Sequence, residues 1–132
     1  MSNFFKKFID GGTVTPPPSI EKEFAEMFPD ALNVEWYARD SQYEAVFHKD
    51  NTEYIARYSS DNQLIDYRIN MPVDNLPEFA RINLDPKEEI MNVVLIVTGQ
   101  ASEYEIIVRD ADLNRYVMQI SPDGEIINRK GL

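Results

Sequence analysis

Cysteine is absent from the 132 residues. Disulfides, thiolate metal sites and cysteine nucleophiles are therefore excluded. Histidine occurs once, as His48, and tryptophan once, as Trp36. Positive charge is scarce: 13 Lys and Arg stand against 23 Asp and Glu, a net charge of −10. A chain this acidic is repelled by phosphate backbones and anionic lipid, which argues against nucleic-acid and membrane-surface partners. Long apolar runs are missing too. The longest, Val93 to Val97, is far short of the roughly 20 residues a membrane span needs, so no membrane span is expected. The opening Met1 to Ile9 carries Lys6-Lys7 in its middle and reaches Asp10-Gly11-Gly12 without the apolar stretch of a signal peptide. With Met1 as the native start, the expected location is the cytoplasm.

Aromatic residues, by contrast, are plentiful, with 7 Tyr and 7 Phe, and they favour strands. Residues 1–18 read as an N-terminal arm and proline-rich linker. Phe4, Phe5, Phe8 and Ile9 crowd its start, and Pro16-Pro17-Pro18 is a stiff spacer. Such an arm is suited to docking, including self-association through Phe4, Phe5, Phe8 and Ile9. Residues 19–132 read as one domain. Ser19 is placed to cap a helix whose apolar face is Ile20, Phe24, Met27 and Phe28, and Pro29 stops it. Period-two runs follow from Leu32 to Met71, broken by Asp-, Asn- and Ser-rich turns, the pattern of an antiparallel meander. A second short helix, capped by Asp74 or Asn75 and burying Phe79, then strands from Ile90 to Asn128, complete the chain.

The two halves match one another. Tyr43-Glu44-Ala45-Val46-Phe47 aligns with Tyr104-Glu105-Ile106-Ile107-Val108, and Tyr54 to Ile65 aligns with Tyr116 to Ile127. The expected fold is α+β: two tandem helix-plus-antiparallel-strands repeats (19–71 and 72–132) forming one curved antiparallel sheet of about eight strands, with two helices packed on one face. Trp36, Tyr43, Phe47, Tyr54 and Tyr58 would face the helices. The alternate residues would form the other face.

The pattern Phe24-Ala25, Met27-Phe28-Pro29-Asp30-Ala31, Val34-Glu35-Trp36, Tyr43 to Phe47 and Ala56-Arg57-Tyr58 resembles the PepSY-like, beta-lactamase-inhibitor-protein-like (BLIP-like) family of small bacterial proteins. Leu76-Pro77, Tyr104-Glu105 and Ser121 to Ile127 resemble that family's second repeat, so the likeness covers roughly residues 20–128. It implies the same two-repeat sheet, an exported (periplasmic) location and protein or peptide binding. This chain departs from the pattern in lacking an export signal, and in having Leu84-Asp85-Pro86 where an aromatic-Pro pair would follow the second helix.

No stretch carries a catalytic or cofactor-binding constellation, and neither a cofactor nor a metal is expected. Asp110-Ala111-Asp112-Leu113-Asn114 begins like a calcium loop, but Arg115 stands where Gly is required and Ser121 where Glu is required. The expected function is a non-enzymatic module that recognises a protein or peptide on the sheet face opposite the helices, through Tyr37, Val46, Ile55, Arg57, Leu64 and Arg68. The alternative is a small-ligand binder or hydrolase-type enzyme that uses His48 with Glu44 or Glu53.

Overall fold

The computed structural model describes residues 12–132; the arm residues Phe4, Phe5, Phe8 and Ile9 lie outside them. Helix α1 (Pro18–Met27) is followed by β1 (Leu32–Arg39), β2 (Gln42–Lys49), β3 (Thr52–Ser59) and β4 (Leu64–Met71). A 3-10 turn (Val73–Asn75) and the one-turn helix α2 (Glu78–Arg81) lead into β5 (Glu89–Thr98), β6 (Ala101–Arg109), β7 (Arg115–Ile120) and β8 (Ile126–Gly131). The eight strands form one antiparallel sheet in chain order. The chain divides into two compact units, with the boundary between Tyr67 and Arg68.

Turn chemistry sets the registers. Arg39 pairs with Gln42 and Lys49 with Thr52 across two-residue loops. Both central residues of each loop, Asp40-Ser41 and Asp50-Asn51, have positive φ, the type I′ geometry that matches strand twist. Thr98 pairs with Ala101 across Gly99, the φ > 0 residue of a II′-like loop. A five-residue turn then occurs three times, at Ser59–Gln63, Asp110–Asn114 and Ser121–Glu125. In each, the first residue's N–H donates to the fifth residue's carbonyl at 2.8–2.9 Å. The fifth residue's N–H in turn donates to a side-chain oxygen of the first: Ser59 Oγ (3.2 Å), Asp110 Oδ1 (2.9 Å) and Ser121 Oγ (3.1 Å). The fourth residue has positive φ in every case: Asn62, Leu113 and Gly124.

In the first unit α1 packs on the sheet through Ile20, Phe24 and Phe28, over Trp36, Ala45, Phe47, Ala56 and Tyr58. The rings interlock: Phe24 lies edge-on to Trp36 (5.2 Å) and Phe47 (5.0 Å), and Phe28 lies edge-on to Tyr67 (5.4 Å) and tilted against Phe47 (4.9 Å). Ala45 and Ala56, adjacent in the β2–β3 ladder, make room for them. The second unit solves the same problem the other way. Its helix is one turn long and buries only Ala80, so Ile106 and Met118, at the positions matching the two alanines, fill the space from the sheet side with Val93, Val108 and Ile120.

Three local expectations are corrected. Ser19 does not cap α1: Pro17 holds the N-cap position, Pro18 is the first helical residue, and the Ser19 hydroxyl donates to Asn62 Oδ1 at 3.0 Å in the β3–β4 turn. The start suits proline, which has no N–H to leave unsatisfied there. The second helix is likewise not capped by Asp74 or Asn75, which lie in the 3-10 turn; Pro77 precedes its first residue. Phe79 is not a core residue but 47% exposed, because one turn of helix can present only Ala80 to the sheet. Its backbone and ring instead close over Gly124 in the β7–β8 turn, whose carbonyl accepts the Asn83 side-chain amide at 2.5 Å.

Two outcomes follow. A Cβ at Gly124 would overlap the Phe79 carbonyl and would sit at a φ of 87°. Gly124→Ala is expected to cost about 2 kcal/mol or more in denaturant unfolding, combining strain and clash. Tyr58 is 1% exposed and its hydroxyl has no hydrogen-bond partner among the described residues. Burial, then the charge of Glu23, push its pKa up to about 12. The unfolded chain therefore releases this proton first, so this stabilising contribution is complete below the ordinary pKa of 10 and is lost as pH rises towards 12. Tyr58→Phe should match or exceed the wild-type Tm at pH 7 and unfold less readily in alkaline titration.

Candidate functional site: a charged row across the first unit

On the face of the first unit away from α1, register brings alternate residues into rows. Tyr37 lies opposite Glu44, and Glu44 opposite Arg57. Arg57 then reaches Asp66 on β4 through a two-pronged pair, Nε to Oδ1 at 2.8 Å and Nη2 to Oδ2 at 2.6 Å. One row thus crosses four strands with two carboxylates and one guanidinium. Glu44 is 3% and Asp66 5% exposed. The Asp66 hydrogen bond, together with the nearby charges of Asp66 and Glu44, holds the Arg57 guanidinium protonated more firmly than usual, against a smaller opposing effect of burial. Asp66 is satisfied by the fork geometry that arginine offers a carboxylate. Glu44 is not matched in this way: its Oε2 is buried without a hydrogen-bond partner among the described residues. At one end of the row the Tyr37 hydroxyl donates to Glu35 Oε2 at 2.7 Å, and this hydrogen bond raises the phenol's pKa.

The residues expected on this face divide. Tyr37 and Arg57 are half-buried and reach its surface. Val46 (8% exposed) and Ile55 (1%) are buried, a correction. They pair with each other, and long side chains flank them: Glu35 across from Val46, Glu44 and His48 along β2, Glu53 and Arg57 along β3. Leu64 is a second correction, since it packs against the helix-side cluster. It is the first residue of β4, directly after the turn containing Asn62 (φ 66°), where the side chain is not yet held to the strand's alternation. Arg68 is half-buried and belongs to the second unit. In the sequence, Glu44 stands out only as a candidate carboxylate for His48, and Asp66 reads as ordinary strand polarity. Hairpin arithmetic can find Glu44, because two-residue loops bring Tyr37, Glu44 and Arg57 into one row, and the five-residue turn Ser59–Gln63 then brings Asp66 to Arg57.

His48 lies directly across from Glu53. Glu44 is four residues away on the same strand, about 13 Å, too far to orient the imidazole. Among the described residues no group of three or more His, Asp or Glu side chains could hold a metal ion. The Asp110 carboxylate is committed to its turn, accepting the N–H groups of Asp112 and Asn114 and the Tyr116 hydroxyl. These bonds, that to Asn114 foremost, draw its pKa below the ordinary value.

The second unit repeats the pairing with amides in place of the ion pair. Glu105 pairs with Gln119, and Gln119 with Asn128, at the positions of Glu44, Arg57 and Asp66. Here the surface is open. A depression of about 350 Å³ is lined by Glu105, Ile107, Val117, Gln119, Asn128 and Lys130, and reaches Leu132.

No model of a known protein family matches the chain, and no curated protein matches it. Solved structures do share its fold. A DUF2874 family protein from Bacteroides uniformis is 20% identical with a TM-score of 0.81, covering 89% of this chain and 90% of that one. A BLIP-like protein from Bacteroides fragilis is 17% identical with a TM-score of 0.81, covering 93% and 91%. A Bacteroides eggerthii protein named as a candidate periplasmic protein is 16% identical with a TM-score of 0.81, covering 89% and 90%. At these identities the likeness establishes the fold alone. It supports a BLIP-like fold and not PepSY specifically.

The row carries an asymmetry that mutation exposes. Arg57→Met leaves two buried carboxylates without their cation and should cost about 3 kcal/mol or more by chemical denaturation. Asp66→Asn leaves a partly exposed guanidinium beside Glu44 and should cost clearly less. Equal losses would show that the charge balance of the row is not what holds it.

Proposed function

We propose that the chain is a non-enzymatic recognition module that takes a protein or peptide segment on the first unit's sheet face opposite α1. One observation carries this reading: Glu44 is a buried carboxylate with an acceptor oxygen unused among the described residues. The cation beside it, Arg57, is already committed to Asp66. A buried acceptor without a donor is costly. A Lys or Arg side chain from a partner would supply the missing donor and balance the row's surplus negative charge. Tyr37 and Arg57, half-buried at the surface, are residue types that dominate binding energy when a partner dries them. The net charge of −10 favours a basic segment on approach. The expected site is therefore smaller and more polar than a face carrying Val46, Ile55 and Leu64. The fold neighbour named as a candidate periplasmic protein supports an exported location. Self-association through Phe4, Phe5, Phe8 and Ile9 is a separate part of the proposal.

A second reading keeps one observation, the direct pairing of His48 with Glu53 at the end of the β2–β3 ladder. It assigns small-ligand or hydrolytic chemistry to that pair, with Glu44 excluded by distance.

The test is capture from native extract by wild type, Glu44→Gln, Tyr37→Asp and His48→Ala, with Tm recorded for each. A partner held by wild type and His48→Ala, and lost from Glu44→Gln and Tyr37→Asp at near-wild-type Tm, supports the face. A partner retained by Glu44→Gln and Tyr37→Asp moves the site elsewhere. Loss confined to His48→Ala favours the second reading.

A further inference from the structure

The two units share a pairing pattern, so residues on the sheet face away from the helix have counterparts in the other unit. In the first unit Val46 pairs with Ile55, and Glu44 pairs with Arg57 beside them. The second unit places Ile107 with Val117, and Glu105 with Gln119, at the matching positions of β6 and β7. The aliphatic pair of the first unit is covered, and Ile55 is 1% exposed. Arg57 supplies part of that cover. It follows Ile55 by two residues on the same face, and its guanidinium feels the charge of Glu44 while forking onto Asp66. Its counterpart Gln119 is shorter and uncharged, and Asn128 stands in place of Asp66. Ile107 and Val117 are therefore only half-buried, and they floor the depression of about 350 Å³. Glu105 keeps its carboxylate at the edge of that floor, with an amide rather than a guanidinium as its cross-strand partner.

What the second unit lacks has a definite chemistry. In the first unit the arrangement is completed by an aliphatic stem beside the paired side chains, ending in a guanidinium next to the glutamate. A molecule of that shape would lay its stem on Ile107 and Val117 and keep its charged head at the rim. Glu105 would hold the head by charge-assisted hydrogen bonds, and the Gln119 side-chain carbonyl beside it adds a neutral acceptor. Lys130 defines the opposite side of the depression, where it pairs with Val117. Strand spacing and rise put the Glu105 and Lys130 Cα atoms about 12 Å apart, across two strands and one row. A plain cation would be repelled at Lys130, and a carboxylate would be held there. The charges of the site thus call for a ligand with a cation at one end of an aliphatic stem and a carboxylate at the other.

We propose that the depression on the second unit binds a free basic amino acid, with its side-chain cation on Glu105, its stem on Ile107 and Val117, and its carboxylate on Lys130. The α-amino group is left to the side-chain carbonyl of Asn128, two residues from Lys130 on β8. The volume of about 350 Å³ lies in the range of small-molecule sites. The inference concerns a different unit from the row of Glu44, Arg57 and Asp66 and does not depend on the reading given for that row.

The test is a titration of the isotope-labelled full chain, followed by amide NMR. Arginine is compared with agmatine, which lacks the carboxylate, and with norvaline, which lacks the guanidinium. Arginine is expected to shift the signals of β6, β7 and β8 saturably. Agmatine and norvaline should each bind about tenfold more weakly, the loss of one hydrogen bond to a charged group. Glu105→Gln should weaken arginine by about the same factor. Lys130→Met should reduce arginine to the affinity of agmatine, while agmatine itself binds no more weakly than before. Glu105 is half-buried and Lys130 exposed, so both variants should keep the wild-type Tm. Glu44→Gln should leave every affinity unchanged. Absence of saturable shifts, agmatine binding as tightly as arginine, or unchanged arginine binding in Glu105→Gln overturns the inference. Shifts confined to the first unit and lost in Glu44→Gln also overturn it, and leave the reading of the first unit standing.

Discussion

The structure depends on how much volume each helix brings to its sheet. In the first unit a ten-residue helix delivers Ile20, Phe24 and Phe28, and the strands beneath yield by placing Ala45 and Ala56 side by side. In the second unit a four-residue helix delivers Ala80, and the strands advance with Ile106 and Met118. Interiors are packed to near-crystalline density, so neither half tolerates the other's choice. The interlocked aromatic cluster belongs to the first unit, where the alanines leave the space, while the second has an edge-on pair at its margin, Phe79 with Tyr104 at 6.5 Å. The buried core of the second is aliphatic apart from Tyr104 and Met118, with Tyr116 packed against it. The turns serve the same purpose. Asn62 and Gly124 occupy equivalent positions, and each is tied to the helical segment of its unit: one by the Ser19 hydroxyl, the other by the Asn83 amide and the Phe79 backbone.

With one face of each unit committed to its helix, chemistry is left to the alternate side chains. There the two units diverge in charge. Glu44, Arg57 and Asp66 become Glu105, Gln119 and Asn128 at the same register positions. The amides of the second set can donate and accept without ionising. They leave an open depression, whereas the first set closes over Val46 and Ile55. Charged groups are withdrawn from water only where another charge or a hydrogen bond offsets the loss. The Arg57–Asp66 fork meets that condition, and Glu44 is the member of the row left to be satisfied by something else.

Much of the fold is legible in the residues, because period-two alternation and short Asp- and Asn-rich turns constrain pairing strongly. The Tyr43–Phe47 and Tyr54–Tyr58 runs place their odd and even members on opposite faces whatever lies above them. What is not legible depends on neighbours distant in sequence. Ile55 reads as a surface aliphatic on a mixed face; its burial follows from the long side chains of Glu53, Arg57, Glu44 and His48 around it. Phe79 reads as a core aromatic, and only the length of α2 decides otherwise. Ser19 reads as a cap, but its hydroxyl finds a better acceptor at Asn62 once the β3–β4 turn stands beside it. The row of Glu44, Arg57 and Asp66 is within reach of hairpin arithmetic, yet it escapes a residue-by-residue reading because each member alone resembles ordinary strand polarity.

The strand order has a kinetic meaning. Every strand lies beside its neighbours in sequence, from β1 to β8 without a crossover. Within each unit the strand-to-strand loops are only two to five residues long, and loop-closure entropy grows with the length enclosed; the one long connection, between β4 and β5, holds the 3-10 turn and α2. Chains whose contacts are this local fold faster than Greek-key sheets of similar size, because no distant strand must be found before a hairpin gains stability. Either unit can nucleate from a single hairpin, and the steps that remain are the seating of α1 on its aromatics and of α2 on its aliphatics.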